Sequence, residues 1–173
     1  MQLQWKKMTL KILDHDLLNK ITISAKKNKR KRQHKNLHVN YKDPCQRLLN
    51  AVEPDTYIRP HRHASYPKDE LLIAIRGLMM LVLFNESGEI IDVIQFGVGK
   101  PNRNVVVGVE IPPHKWHTVV ALEQGSVMLE VKAGPYISSK AKDLAYWAPE
   151  ENSSNSQQYL KSLLFRINNF QMK

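Results

Sequence analysis

The sequence predicts a mainly-β fold, a closed or double-sheet antiparallel barrel with a short helix at either end. Three observations predict it. Between about residues 46 and 132, runs of four to eight residues rich in Val, Ile, Leu and Tyr recur, separated by Gly, Pro, Asn and Asp. Turn signals fall between them at Asn85-Glu86-Ser87-Gly88 and Glu123-Gln124-Gly125. Helical spacing of apolar residues is confined to the two ends of the chain.

Taken in order, Asp14 is a natural N-cap for a helix carrying Leu17, Leu18, Ile21 and Ala25 on one face. This helix is expected to run into a basic stretch, Lys26, Lys27, Lys29, Arg30, Lys31, Arg32 and Lys35, and to end before Asn36. Residues 1–35 thus form an N-terminal helix and basic segment. The barrel follows over residues 36–150. Its expected strands are Gln46 to Ala51, Thr56 to His61, Glu70 to Arg76, Met79 to Asn85, Ile90 to Phe96, Asn104 to Ile111, Thr118 to Glu123 and Ser126 to Lys132. Eight short strands at this spacing suit a barrel better than alternating β and α units. Ala133 to Glu150, with Gly134, Pro135 and Pro149, reads as an ordered loop over one barrel end. Residues 151–173 comprise a polar linker and a helix bearing Leu160, Leu163, Leu164 and Ile167.

Composition narrows the function classes. With 173 residues, 42% apolar and 24% charged, the chain suits one domain with a full core. No apolar run approaches the roughly 20 residues that cross a bilayer. The stretch Met1 to Lys11 lacks the apolar core of a secretory signal. Cys45 is the single cysteine, which excludes an intrachain disulfide and fits a reducing, cytoplasmic setting. The net charge of +10 is concentrated in the basic stretch. No aromatic residues interleave it, as single-strand nucleic-acid binders require, so a solvated helix end is the expectation and nucleic acid is not an expected partner.

Four residues carry the chemistry. His61 and His63 alternate along an expected strand and therefore point to one face. Glu70 opens the next strand, and His117 follows the Pro112-Pro113 turn. Three imidazoles and a carboxylate suit one divalent first-row ion such as Mn, Fe, Ni, Co or Zn.

These residues also carry a resemblance. His61-x-His63, six residues, Glu70, six residues and Gly77 resembles the first cupin motif. Pro112-x-His114-x-x-His117 resembles the second, with His114 in place of a usual glycine and Ala121 where an asparagine often stands. Further stretches resemble the WbuC-type family of small cupin-fold metalloproteins, often found among surface-polysaccharide genes. They are Asn36-Leu37-His38, Gln46 to Ala51, Thr56 to His63, Glu130-Val131-Lys132-x-Gly134-Pro135-Tyr136 and Lys142-Asp143-x-Ala145-x-Trp147-Ala148-Pro149-Glu150. The resemblance spans roughly residues 10 to 151. It implies the cupin fold (a double-stranded β-helix, or jelly-roll barrel), a metal on His61, His63, Glu70 and His117, and a homodimer paired through sheet edges.

Strand alternation extends the site. Tyr57 and Arg59 are expected on the face of His61 and His63, Arg76 on the face of Glu70, and Lys132 on the face of Glu130 and Met128. Such a pocket suits a small anionic, oxygen-rich substrate, and the polysaccharide association of the resembling family implies a sugar-derived one. Tyr57, Arg59, Arg76 and His38 are its expected binding residues; Lys132, Tyr136 and Arg59 are its expected catalytic ones. In a second arrangement, Arg59 pairs with Glu130 inside the barrel and only orients the ligands. His114 is expected in a turn, and Tyr146 and Trp147 as packing for the loop. Three functions follow: a metal-dependent sugar isomerase or epimerase, an iron-dependent dioxygenase, or a metal-dependent binding module without turnover.

Overall fold

The computed structural model describes residues 10–99 and 104–172. The first nine residues, part of the stretch read for a secretory signal, lie outside the described residues, as does part of the expected N-terminal segment.

Helix α1, His15–Lys27, starts where expected, with the Asp14 carboxylate accepting the Leu17 amide at 2.8 Å. It stops eight residues earlier than the basic run allows. Its C-cap Asn28 returns to extended geometry, and Arg32–Asn36 forms strand β1 instead of helix. Ten further strands follow: β2 Cys45–Val52, β3 His61–Arg62, β4 Glu70–Arg76, β5 Leu78–Phe84, β6 Ile90–Gly97, β7 Val105–Val106, β8 Gly108–Ile111, β9 Trp116–Ala121, β10 Ser126–Ala133 and β11 Asp143–Leu144. Helix α2, Ser156–Gln171, closes the description.

Two sheets face each other. One has the order β1-β2-β10-β4-β8 and the other β11-β3-β9-β5-β6-β7. All pairs are antiparallel except β6 with the two-residue β7. This is the jelly-roll barrel the sequence predicts. Alternation sorts each strand into two layers. Val52, Leu72, Ala74, Met79, Leu81, Phe96, Val119, Ala121 and Met128 pack between the sheets. The intervening residues of the first sheet, Leu49, Ala51 and Val127, pack outward on Leu18, Ile21 and Ala25 of α1. On the second sheet, Met80, Val82, Phe84, Trp116 and Val120 pack outward on Leu160, Leu163 and Ile167 of α2. Because α2 covers the outer face of the second sheet, β5 and β9 are largely buried on both sides.

Two expected strands differ, and the differences matter for the site. Thr56 to Pro60 does not join a sheet, and only His61–Arg62 pairs there. Pro60 cannot donate a ladder hydrogen bond. Asn104 to Ile111 splits into β7 and β8. The turn at Asn85 forms as expected: its side chain accepts the Ser87 and Glu89 amides at 3.0 and 2.9 Å. Gly88 there has φ +84°, and a Cβ on it would meet the Trp147 ring at 2.6 Å.

Candidate metal centre

The centre is assembled from both sheets. In the second sheet His61 of β3 lies directly across from His117 of β9. In the first, Glu70 of β4 lies across from Lys132 of β10. His63 follows β3, its amide donating to the Pro113 carbonyl at 3.1 Å. All four side chains point between the sheets and are 2–4% exposed, which removes water as their hydrogen-bond partner. One ligand atom from each of His61, His63, Glu70 and His117 lies within 4.8 Å of the other three.

The backbone fixes the imidazoles. Nδ1 of His61 donates to the Arg59 carbonyl at 3.0 Å, that of His63 to Ala141 at 2.7 Å, and that of His117 to Lys115 at 2.8 Å. A carbonyl can only accept, so each Nδ1 carries a proton, and in a neutral ring the inward Nε2 is then the unprotonated nitrogen. Two of those Nε2 atoms, from His63 and His117, stand 3.1 Å from the same Glu70 oxygen, Oε2. Lone pairs facing a carboxylate oxygen repel unless a cation lies among them. The donor set therefore fits a divalent ion, with backbone carbonyls orienting its imidazoles from behind.

Electrostatics prepare the same state. Burial, reinforced by Lys142 and the other histidines, holds the His61 imidazolium pKa well below 6.5, so the ring is neutral. Burial alone would raise the Glu70 carboxyl. The Lys132 ammonium leads the influences that outweigh it and hold Glu70 ionised, well below the usual range. Lys132 donates to Glu70 Oε1 at 3.1 Å and is paired with Glu130. Glu130 in turn accepts from Asn50. These two carboxylates keep Lys132 an ammonium despite its burial.

The centre opens into a cavity of about 390 Å³. Its lining mixes apolar Ile58, Leu72, Val119 and Met128 with polar Asn50, Glu130 and Lys132; Met128 lies across from Asn50 and Leu72 across from Glu130. Strand β1 forms the far lip: Arg32, His34 and Asn36 pair in register with Val52, Asn50 and Leu48.

Among the expected substrate and catalytic residues, the structure brings His38, Lys132 and Tyr136 to this cavity. His38 seats its Nδ1 against the Arg47 backbone, and its Nε2 is buried without a partner among the described residues. Tyr136 stacks against Tyr41 with ring centroids 5.0 Å apart.

Three expected residues stand elsewhere. Arg59 is not a lining residue; its Nε and Nη2 donate to the Ala145 carbonyl at 3.1 and 2.7 Å, and it pairs with neither substrate space nor Glu130. Tyr57 is buried under α2, edge-on to Tyr159, and donates to the Pro149 carbonyl at 2.8 Å. Both were assigned by strand alternation, which fails because residues 56–60 are not in a strand. Arg76 turns outward to Asn19 of α1 at 3.0 Å. A bulge between Val127 and Met128 sets Arg76 opposite Val127, an outward residue, rather than in line with Glu70. His114 lies exposed in the turn before β9. Trp147 packs on Phe84 and Trp116.

Sequence reasoning did not assign Lys142, which lines the cavity beside the cluster. It lies in the loop expected to cover the barrel, where no alternation predicts direction. The available signal was its place in the resembling stretch Lys142 to Glu150. Asn50 was a second omission, detectable as the one polar residue between the inward Leu48 and Val52.

A barrel of two antiparallel sheets with an inward His-x-His, Glu and His is a cupin barrel. The chain has the cupin fold. Residues 13–96 match the profile of a family described as a domain of unknown function (DUF6016). No curated protein matches the chain. Among solved structures, KdgF from Halomonas sp. overlaps 62% of this chain and 82% of its own, at 18% identity and a TM-score of 0.45. Protein SO0799 from Shewanella oneidensis overlaps 64% of this chain and 72% of its own, at 8% identity and a TM-score of 0.49. Oxalate decarboxylase from Bacillus subtilis overlaps 65% of this chain at 17% identity and a TM-score of 0.48. This chain spans 27% of that protein's length. Among the described residues, no helix is long and apolar enough to cross a membrane.

Proposed function

We propose that this chain is a WbuC-type cupin that binds one divalent ion, Mn, Fe, Ni or Zn, through His61, His63, Glu70 and His117, and isomerises or epimerises a small anionic sugar or sugar acid. The observation that carries this reading is the convergence of unprotonated imidazole nitrogens on Glu70 Oε2, each histidine fixed from behind by a carbonyl. The sugar class is supported by the resemblance to polysaccharide-associated proteins and by a lining that mixes polar and apolar side chains.

A bound ion supplies Lewis-acid polarisation of a carbonyl oxygen. The chain's own groups do the rest. Lys132 occupies Glu70 Oε1 and leaves Oε2 toward the histidines. Because Glu70 and Glu130 keep it protonated, Lys132 serves as a hydrogen-bond donor to substrate oxygen and not as a base. Tyr136, which lines the cavity, is assigned the proton transfer. The apolar side chains of the lining, Ile58, Leu72, Val119 and Met128, limit water around the reacting carbon. The expected homodimer forms away from β1, whose edge carries Arg32 and Lys35 and repels a second copy of itself.

The test is proton exchange. Metal-loaded protein incubated in D2O with a panel of sugar acids is expected to incorporate deuterium beside the carbonyl of one of them, as read by NMR. No exchange with any member, together with oxygen consumption by the iron-loaded form, would replace isomerisation with dioxygenase chemistry.

A further inference from the structure

The cavity lining contains four obligate or ordinary cations, Arg30, Arg32, Lys132 and Lys142. Three are already engaged. Arg30 and Arg32 share the Glu151 carboxylate, and Lys132 bridges Glu70 and Glu130. Lys142 forms no hydrogen bond or ion pair among the described residues.

Its placement is nevertheless fixed on both sides. The preceding residue, Ala141, presents the carbonyl that orients His63 at 2.7 Å. The following one, Asp143, accepts the Ala64 and Ser65 amides at 2.9 and 2.8 Å and pairs with Arg62 of β3. The backbone of the segment that carries the first two histidines thus clamps the backbone of Lys142. Its charge is felt at His61, where it is the largest influence after burial.

Charge balance then states what is missing. Lys132 and Lys142 offset Glu70 and Glu130, while Arg30 and Arg32 share one carboxylate, so the lining is already slightly positive. A divalent ion adds two further positive charges. Uncompensated charge in a partly dry cavity is costly, and a ligand that brings two negative charges relieves it.

We propose that the ligand of this centre is a chelating dianion, such as a dicarboxylate or a sugar diacid, with one anionic group at the His/Glu cluster and the other on the Lys142 ammonium. This rests on the metal reading above and adds to it the charge of the ligand and the residue that selects it. Lys142, rather than Lys132, is the lysine that takes the ligand's second anionic group. Lys132 is held in place by two carboxylates, and Lys142 is free to meet a third.

The experiment uses the full chain loaded with Mn(II), with metal content measured in every sample, and titrates malonate and malonamate by calorimetry. Malonamate has the same shape with one negative charge fewer. Malonate is expected to bind about tenfold or more tightly than malonamate, since a charge-assisted pair is worth of order 1.5–3 kcal/mol. Lys142→Met is expected to remove that preference without changing metal content, and Lys142→Arg to retain most of it. Equal affinity for the two probes, or an unchanged preference in Lys142→Met, would overturn the inference while leaving the metal reading intact. Failure of the wild-type chain to take up Mn(II) or any other ion would instead overturn the metal reading itself.

Discussion

The two ends of the cavity are built differently. At the metal end, the imidazoles are bonded from behind by carbonyls, and Glu70 is held by Lys132, which is itself held by Glu130. Lys142, beside the cluster, has no partner among the described residues, and toward the mouth Tyr136 is 40% exposed and His34 of β1 faces solvent. A centre that must hold an ion in a fixed geometry needs its ligands positioned before the ion arrives. A surface that must accept and release a ligand needs donors not already occupied by the protein. The contrast separates groups that serve the fold and the ion from groups left for a ligand.

The largest expected effect breaks the metal end. His63→Ala is expected to lower metal content from about one ion per chain to near none, because one of four ligands and its carbonyl anchor are lost together. Circular dichroism should remain that of the intact barrel, since His63 lies outside the main ladders. Retention of full metal by this variant would remove His63 from the centre.

Next in size is the difference between the two lysines. Lys132→Met leaves Glu70 and Glu130 buried without their cation and is expected to destabilise the metal-free protein by roughly 3–5 kcal/mol in urea unfolding. Lys142→Met, exposed and unpaired, is expected to change stability by no more than about 0.5 kcal/mol. Similar costs for the two variants would erase the distinction between the ends.

The pH dependence of the metal-free protein is a smaller effect with a definite sign. Folding depresses the His61 pKa below its ordinary 6.5, so below that pH the unfolded chain binds a proton that the folded chain refuses. Stability is therefore expected to fall as the pH drops through about 6.5. A second loss follows below 4.5, where Glu70 protonates in the unfolded chain before the folded one. Unfolding midpoints measured from pH 8 to 4 check both steps. A curve that is flat between 8 and 5 would deny the depressed His61.

The same comparison shows what the sequence made legible. The metal end was readable because its residues obey strand periodicity: His61 and His63 share a face, Glu70 opens β4, and His117 alternates with Trp116 and Thr118 in β9. Sheet positions were readable for the same reason, as in β4, which spans Glu70–Arg76 as expected. The rest depended on departures from periodicity. Pro60 and the irregular backbone before it sent Tyr57 and Arg59 to the loop at Ala145 and Pro149. One bulge in β4, at Ile75, carried Arg76 to the far side of the sheet. The basic run hid β1, because Lys and Arg suit a helix end and say nothing about the edge of a barrel. Lys142 was hidden in a loop whose direction is set by pairing between β11 and β3, a tertiary contact that local spacing does not contain.

The most direct test of the central claim is elemental analysis of the protein purified without chelators, beside His117→Ala. His117 is the ligand that joins β9 to Glu70, and its Nε2 stands 3.1 Å from the carboxylate. The account predicts about one divalent ion per wild-type chain, and near none in the variant under the same loading. Equal metal content in the two proteins, or none in the wild type after reconstitution with Mn, Fe, Ni and Zn in turn, would contradict it.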